Sequence, residues 1–446
     1  MGNNGKKSFN RRQFLSKTAF ASAGAILAPN IIGKAAPVGT DEIRVGLIGA
    51  GAQGQVLWDS SHNIKGIRFM AVCDIWEKQN LKTISTQMRW LSKRGHVGTA
   101  YVDYKEMLDK ENLDAIIVAT PDCFHDVHSI AAMEKGLDVY CEMPMASSPQ
   151  KARNLLKSAK NTGKLLQIGY QRRSNPVYLY ALEKLINEAN ILGDIKMVNG
   201  QWNRPTNSCI DFSWKKGREI DPVVLTNHGY ADMHHFRNWR NYKDLGTGPM
   251  GVLGSQQLDV YRWFLGAELE NITANGVKIF QNRDFSDNIM ALMQFKSKTD
   301  TIQASYQICS NSSFDRYYEN FLGDQSSLKI SECRSLCQLI LECDAGYETW
   351  DKWIKKGYIN HVFAVSTPEV PFPLNSHMET TAAISPKLTV PYHQPHLQNF
   401  FDAMKGKASL NCPGEEGYKT ALMTLKINEA VQSGEKITMK PQEYEI

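Results

Sequence analysis

The stretch Ile43-Arg44-Val45-Gly46-Leu47-Ile48-Gly49-Ala50-Gly51-Ala52-Gln53-Gly54 limits what this chain can fold into more than any other. A short apolar run enters Gly-x-Gly-x-x-Gly, and a helix starts there. Gly49 allows the tight turn out of a strand, Gly51 lets the backbone approach a pyrophosphate, and Gly54 lets the helix lie close to the strand. The free N–H groups and positive dipole end of the helix then face the phosphates. Gly49, Ala50, Gly51, Ala52, Gln53 and Gly54 are therefore read as a cofactor-binding turn. A second apolar run, Gly66 to Cys73, ends at Asp74, 20 residues after Gly54, where an acid would hold ribose hydroxyls. An acid at that place repels a 2′-phosphate, which favours NAD over NADP, and the nearby Lys78 moderates the preference.

The alternation continues. Helical patterns at 77–95, 104–109, 125–135 and 149–161 separate apolar runs at 113–120, 137–142 and 164–170. Strands joined through helices imply a parallel sheet with right-handed crossovers. At the carboxyl edge of such a sheet Thr120, Pro121 and Glu142 border the nicotinamide end of a dinucleotide.

The formal net charge is +5, of which residues 1–40 supply +6, so the remainder carries −1. A near-neutral body gives no support to nucleic-acid binding. Nine cysteines are scattered along the chain. Cys73, Cys123 and Cys141 read as small core residues at strand ends. Cys333, Cys337 and Cys343 are close enough for a disulfide or a metal, but no second cluster completes a zinc set, so no metal is expected. Residues 1–36 read as an export signal: Asn10-Arg11-Arg12-Gln13-Phe14-Leu15-Ser16-Lys17 matches a twin-arginine pattern, followed by the apolar stretch Ala19–Ala28 and small residues at Ala35-Ala36. No run is long and apolar enough for a stable membrane anchor. The expected location is the periplasm. A folded protein exported this way carries its nucleotide with it and recycles it in place.

Several motifs in order are similar to the Gfo/Idh/MocA oxidoreductases. They are Ala119-Thr120-Pro121 with His125, Val139-Tyr140-Cys141-Glu142-Met143-Pro144, Gln167-Ile168-Gly169-Tyr170-Gln171-Arg172-Arg173, Asn238-Trp239-Arg240, Gly246-Thr247-Gly248, Asp259 to Gly266, and Pro395 to Phe400. The resemblance spans roughly 41 to 434. It implies an α/β protein: an N-terminal doubly wound parallel Rossmann sheet and a C-terminal α/β domain with a large, mainly antiparallel open sheet. Such a sheet carries a sugar site on one face and often an oligomer interface, giving a homo-oligomer or an assembly with a related subunit. The expected division is an export signal at 1–36, an NAD-binding domain at 41–169, a substrate and oligomerisation domain at 170–392, and helices at 393–446 returning to the nucleotide domain. Within the second domain the pattern predicts helices at 176–189, 251–265, 394–405 and 414–433, and strands at 195–203, 272–280, 288–296, 300–309 and 327–330. Residues 338–392 read as a long irregular insertion.

The resemblance also shows where this chain departs. Hydride transfer from a sugar carbon needs a base for the hydroxyl proton. The family's three usual base positions fall on Met143, Val252 and Gln256, none of which titrates. Three functions stay open: an oxidoreductase with a relocated base, a nucleotide-binding partner subunit without catalysis, and a glycosidase or lyase that uses bound NAD transiently. Among relocated bases His228 is preferred; Tyr170, His234, His235 and His393 are the others, and Gln256 can orient a hydroxyl. His125, Glu142 and Gln171 join the cofactor set. Arg172, Trp202, Arg204, Trp239 and Arg240 are the sugar-facing set, because aromatic faces stack on sugar C–H surfaces and guanidinium forks bind hydroxyls or carboxylates.

Overall fold

The computed structural model describes residues 42–297, 300–342, 347–359, 362–364, 380–382, 384 and 386–445. The expected export segment and much of 338–392 lie outside the described residues. In the nucleotide domain the apolar runs become strands β1 (Ile43–Ile48), β2 (Ile67–Cys73), β3 (Thr99–Tyr101), β4 (Ala115–Val118), β5 (Asp138–Cys141) and β6 (Leu166–Ile168). They form one parallel sheet in the order β3-β2-β1-β4-β5-β6. Helices α1 (Ala52–Ser61), α2 (Lys82–Trp90), α3 (Tyr104–Lys110), α4 (His125–Glu134) and α5 (Pro149–Thr162) make the crossovers. β4 is buried on both faces, as a strand between two helical layers must be. α5 shows how local chemistry sets an element: Ser148 accepts from Lys151 N, Pro149 opens the helix, and Gly163 closes it at φ +64.

The second domain contributes α6 (Pro176–Tyr180), β7 (Ile195–Arg204), α7 (Pro222–Asn227), α8 (Met233–Arg237), α9 (Ser255–Leu265), β8 (Glu268–Val277), β9 (Asn288–Lys296), β10 (Thr301–Cys309), β11 (Ser312–Gly323), β12 (Ser326–Ile330), β13 (Gln338–Leu341), α10 (Tyr347–Lys355), β14 (Val362–Ala364) and β15 (Thr380–Ala382). The chain ends with α11 (Gln394–Met404), α12 (Gly414–Ser433) and β16 (Ile437–Thr438). The described strands form a ten-stranded sheet in the order β14-β15-β13-β12-β11-β7-β10-β9-β8-β16. Every pairing is antiparallel except β7 with β10. Alternation along β9 buries Ile289, Ala291, Met293 and Phe295, while Met290 and Leu292 face outward. α11 packs on α1 and β5, and α12 bridges β8, α5 and α9.

Two expectations are corrected. β11 was not read from the sequence: Asp315 and Arg316 adopt left-handed φ of 53° and 47°, and the pairing with β7 jumps from Ser312 to Tyr317, which hides the alternation. The stretch 338–392 is not wholly irregular, since β13, α10, β14 and β15 lie in it and three of them extend the sheet.

Buried charge locks the domains together. Arg173, just after β6, makes a two-pronged bond to Asp259 on α9 (2.8 and 2.9 Å) and reaches Glu416 on α12 (3.2 Å). Thr420 donates to Asp259 at 2.8 Å. Arg262 joins Glu416 to Glu268 on β8, and Lys419 also holds Glu268. One residue away, Arg172 is fully buried between Glu319 on β11 and Glu332, with Tyr178 donating to Glu319 at 3.0 Å. Removing one partner of a buried pair leaves the other charge uncompensated. Arg172→Leu is expected to cost about 3–5 kcal/mol, read as a lowered Tm and denaturation midpoint; an unchanged midpoint would show that the pair contributes no net stability.

Candidate functional site

A cleft of about 830 Å3 opens between the carboxyl edge of the parallel sheet and the second domain. Its nucleotide side is built by backbone. Gly49 has φ +94, and a Cβ there would lie 2.5 Å from the Ala119 carbonyl. A Cβ on Gly54 would lie 1.9 Å from the Gly49 carbonyl, so the helix can only pack here without a side chain. Gly51 is different: the nearest atom to its absent Cβ is Asn80 Nδ2 at 3.8 Å, so the glycine leaves open space in front of α1. No side chain caps that helix and no acid occupies its first turn. A cradle with no side chain in it, facing uncapped N–H groups, fits a pyrophosphate.

Asp74 follows β2. It accepts from Ala50 N (2.8 Å), Trp76 N (2.7 Å) and Asn80 Nδ2 (3.2 Å). Burial pushes its carboxyl upward, and these bonds pull it back. A carboxylate has about four acceptor positions, so one remains for a ribose hydroxyl. Ala50 is buried behind the turn and serves Asp74, while Gly49, Gly51, Ala52 and Gln53 line the cleft.

At the other end, Thr120 and Pro121 leave β4 and Glu142 leaves β5, all lining the cleft. Glu142 accepts from Gln53 Nε2 (3.1 Å) and from Met143 N (3.1 Å). Gln53 also meets His393 Nε2 at 3.1 Å. His125 is buried with Nδ1 2.8 Å from the Pro144 carbonyl and Nε2 2.8 Å from the Thr120 carbonyl. Both carbonyls only accept, so both ring nitrogens must donate and the ring is an imidazolium. Burial opposes that charge, but Cys141, Asp122 and the Pro144 carbonyl outweigh it and push the pKa up to about 10.

The second domain forms the facing wall. Trp202 and Arg204 sit on the same face of β7, and Trp202 stacks on Tyr317 at 4.7 Å. Trp239 carries Arg240 over its ring at 4.1 Å. Gln171 and Gln256 join across the cleft floor, Gln256 Nε2 donating to Gln171 Oε1 at 2.6 Å. Gln256 Oε1 is buried without a partner. Met143 and Val252 line the same region. His228, exposed at the cleft, has Nδ1 2.7 Å from the Val224 carbonyl. Nδ1 therefore carries a proton, and in the neutral ring the lone pair is on Nε2.

Residues 206–245 form a cap that the sequence did not reveal. Ile220, Leu225, Tyr230, Met233 and Leu245 make one apolar cluster with Trp76 and Cys123 of the nucleotide domain. Trp76 Nε1 donates to the Arg218 carbonyl at 2.5 Å. Arg237 lies over Trp76 at 5.0 Å and within electrostatic range of Asp74. It lies at the Asp74 end of the cleft and was not among the expected residues; only the folded chain brings 237 to 74.

Two expected site residues are corrected. Tyr170 is completely buried in the main core and lines no part of the cleft, so it cannot meet a substrate proton. Arg172 is likewise absent from the wall; its guanidinium is spent on Glu319 and Glu332, 5.7 Å behind the Trp202 ring. His234 is held by Asp211 and Tyr242, and His235 by Asp244 and the Ala231 N–H. Among the described residues no group of side chains is arranged to hold a metal, and no helix is long and apolar enough to cross a membrane.

Comparison with known proteins agrees with this geometry. Residues 43–170 match the model of the oxidoreductase family's NAD-binding Rossmann fold, and residues 184–439 match that family's C-terminal alpha/beta domain. The chain belongs to the Gfo/Idh/MocA oxidoreductase family, and its first domain is the family's NAD-binding domain. It is 31% identical over 32% of its length to 4-carboxy-2-hydroxymuconate-6-semialdehyde dehydrogenase of Sphingobium sp. (strain NBRC 103272 / SYK-6), covering 43% of that protein. It is 23% identical to a glycosyl hydrolase family 109 protein of Solibacter usitatus, covering 69% of this chain and 71% of the relative. The fold is shared with the WlbA dehydrogenase from Chromobacterium violaceum, solved with NADH and UDP-GlcNAcA, at TM-score 0.65 and 19% identity over 91% of this chain and 98% of that one. Levoglucosan dehydrogenase, solved with NADH and L-sorbose, gives TM-score 0.65 at 16% identity over 90% of this chain and all of that one.

Gly51→Leu is expected to fill the cradle, abolishing nucleotide binding while leaving Tm within a few degrees; retained nucleotide would exclude the cradle as the phosphate site. The His125 charge predicts a pH effect. Its folded pKa of about 10 lies above the ordinary value of 6.5, so its stabilisation is complete below about pH 6.5 and lost as pH rises towards 10. Chemical denaturation of the wild type should show stability falling over that window, and His125→Gln should flatten the slope.

Proposed function

We propose that the protein is an exported, NAD-dependent oxidoreductase that acts on a sugar or glycoside and keeps its nicotinamide cofactor tightly bound. One observation carries this reading: a single cleft joins the Gly49–Gly54 turn and Asp74 to a wall of Trp202, Arg204, Trp239, Arg240 and Gln256. NAD, when bound, supplies a two-electron hydride acceptor. Asp74 accepts a ribose hydroxyl, and the uncapped start of α1 meets the phosphates. Its carboxylate favours NAD over NADP. The cap over Trp76 supports slow nucleotide release, which suits a protein working where no pool of free NAD exists.

On the sugar side, Trp202 offers a face for C–H surfaces. Gln256 Oε1, lacking a partner, accepts from a substrate hydroxyl and orients it. His228 Nε2 holds a lone pair on the cleft wall and is the candidate base, taking the hydroxyl proton while its Nδ1–H stays on Val224. His393, tied through Gln53 to Glu142, is the second candidate. The outward face of the large sheet, with exposed Met197, Met290 and Leu292, supports a homo-oligomer or an assembly with a related subunit.

A second reading is favoured by the glycosyl hydrolase family 109 relatives, whose matches include one over 69% of this chain. In that scheme the same residues serve a transient oxidation, and the cofactor ends each cycle as it began. Denaturing the purified protein and identifying released nucleotide by mass spectrometry is the first test. About one equivalent of NAD is expected, and feeding glycosides should then change the nicotinamide absorbance. Product without lasting reduction would favour the second reading; no nucleotide and no binding of added NAD would overturn both. His228→Ala should lower kcat by about 10²–10⁴-fold with little change in KM. Unchanged turnover would move the base to His393.

A further inference from the structure

The charged groups lining the cleft are not all paired. Its carboxylates are all engaged. Asp122 accepts from Thr247 N and Oγ1, and Asp211 and Asp287 both hold Arg283. Asp74 is occupied by backbone and Asn80, and Glu142 by Gln53 and Met143 N. Three guanidiniums remain, of which Arg237 lies over Trp76 at the Asp74 end; the other two are Arg204 and Arg240. Arg204, from the end of β7, makes one long bond, Nε to Ser310 Oγ at 3.4 Å. Arg240 rests its plane on Trp239. Neither has a carboxylate within ion-pair distance among the described residues. Both line the same cleft. Burial lowers the pKa of both; for Arg240 the carboxylate of Asp122 opposes that fall and the guanidiniums of Arg237 and Arg204 add to it. A guanidinium that is partly desolvated and lacks a carboxylate at ion-pair distance is favoured by an anion that joins it. A fork pinned on an aromatic ring loses little freedom when it takes two oxygens.

We propose that Arg204 and Arg240 form a carboxylate-binding subsite, so that the substrate is a sugar acid or its glycoside rather than a neutral sugar. This rests on the oxidoreductase reading of the same cleft. The ring of such a substrate lies against Trp202, beside Arg204 on β7, and its carboxylate bridges the two guanidiniums. Arg237 serves the ribose end instead, next to Asp74 and Trp76.

The test uses the full-length protein with its nucleotide loaded. Binding of glucuronate, galacturonate and N-acetylneuraminate is measured by calorimetry against their methyl esters and inorganic phosphate. At least one acid is expected to bind about tenfold or more tightly than its ester. Arg204→Gln and Arg240→Gln should each remove most of that preference while nucleotide content per chain stays the same. Arg240→Lys, which keeps the charge and loses the fork, should retain the fold with a reduced preference. Equal binding of acids and esters, absence of binding by every acid, or tighter binding of phosphate would overturn the proposal. So would loss of nucleotide in either glutamine variant, which would assign the arginines to cofactor phosphates. Acid binding without hydride transfer would leave the subsite standing and overturn the oxidoreductase reading alone.

Discussion

The two-pronged bond between Arg173 and Asp259 holds the two halves of this protein in one arrangement. Arg173 leaves the last strand of the nucleotide sheet, and Asp259 sits on the helix beneath the large sheet. Glu416 and Thr420 bring in the final long helix. Buried ion pairs of this type demand matched geometry, because each charge has given up water. The bond therefore acts as a register between domains. It sets how far Gln171, two residues upstream of Arg173, lies from Gln256, three residues before Asp259, and those two glutamines form the cleft floor.

The site is assembled from parts of unequal kind. The nucleotide side is backbone: a left-handed glycine, an open cradle and a helix start, with one carboxylate. The opposite wall is long side chains on β7 and on the cap. A backbone cradle tolerates few substitutions, whereas a wall of side chains changes its chemistry one residue at a time. This division lets one fold serve many substrates, because function belongs to the wall and the fold to the cradle.

That difference also explains what was legible in the sequence. The glycine turn, Asp74 and the parallel sheet are local patterns, and each survived folding unchanged. Gln256 was placed by its spacing from Gly246-Thr247-Gly248 and Trp202 by its residue type on a predicted strand, and both line the cleft. Tyr170 and Arg172 were misread because adjacency to a motif says nothing about side-chain direction: residues 170–173 leave β6 as a tight turn that sends Gln171 to the cleft and its neighbours into the core. Arg237 and the 206–245 cap escaped notice because their contacts with Trp76 and Asp74 span well over a hundred positions. β11 was lost at the irregularity between Ser312 and Tyr317, where four residues stand opposite Asn203 and the alternation that marks a strand is interrupted.

The cap has one more consequence. It touches the ribose end of the cleft through Arg237 and carries Trp239 and Arg240 on the substrate wall. A movement of the cap that opened the Asp74 end would also shift Trp239 and Arg240. Ligands held at both ends by this one cap would be coupled, and such coupling is reciprocal: whatever factor a wall-bound ligand added to nucleotide affinity, the nucleotide would return to the ligand. A chain coupled in this way would shed its cofactor most slowly when busiest and most readily when idle.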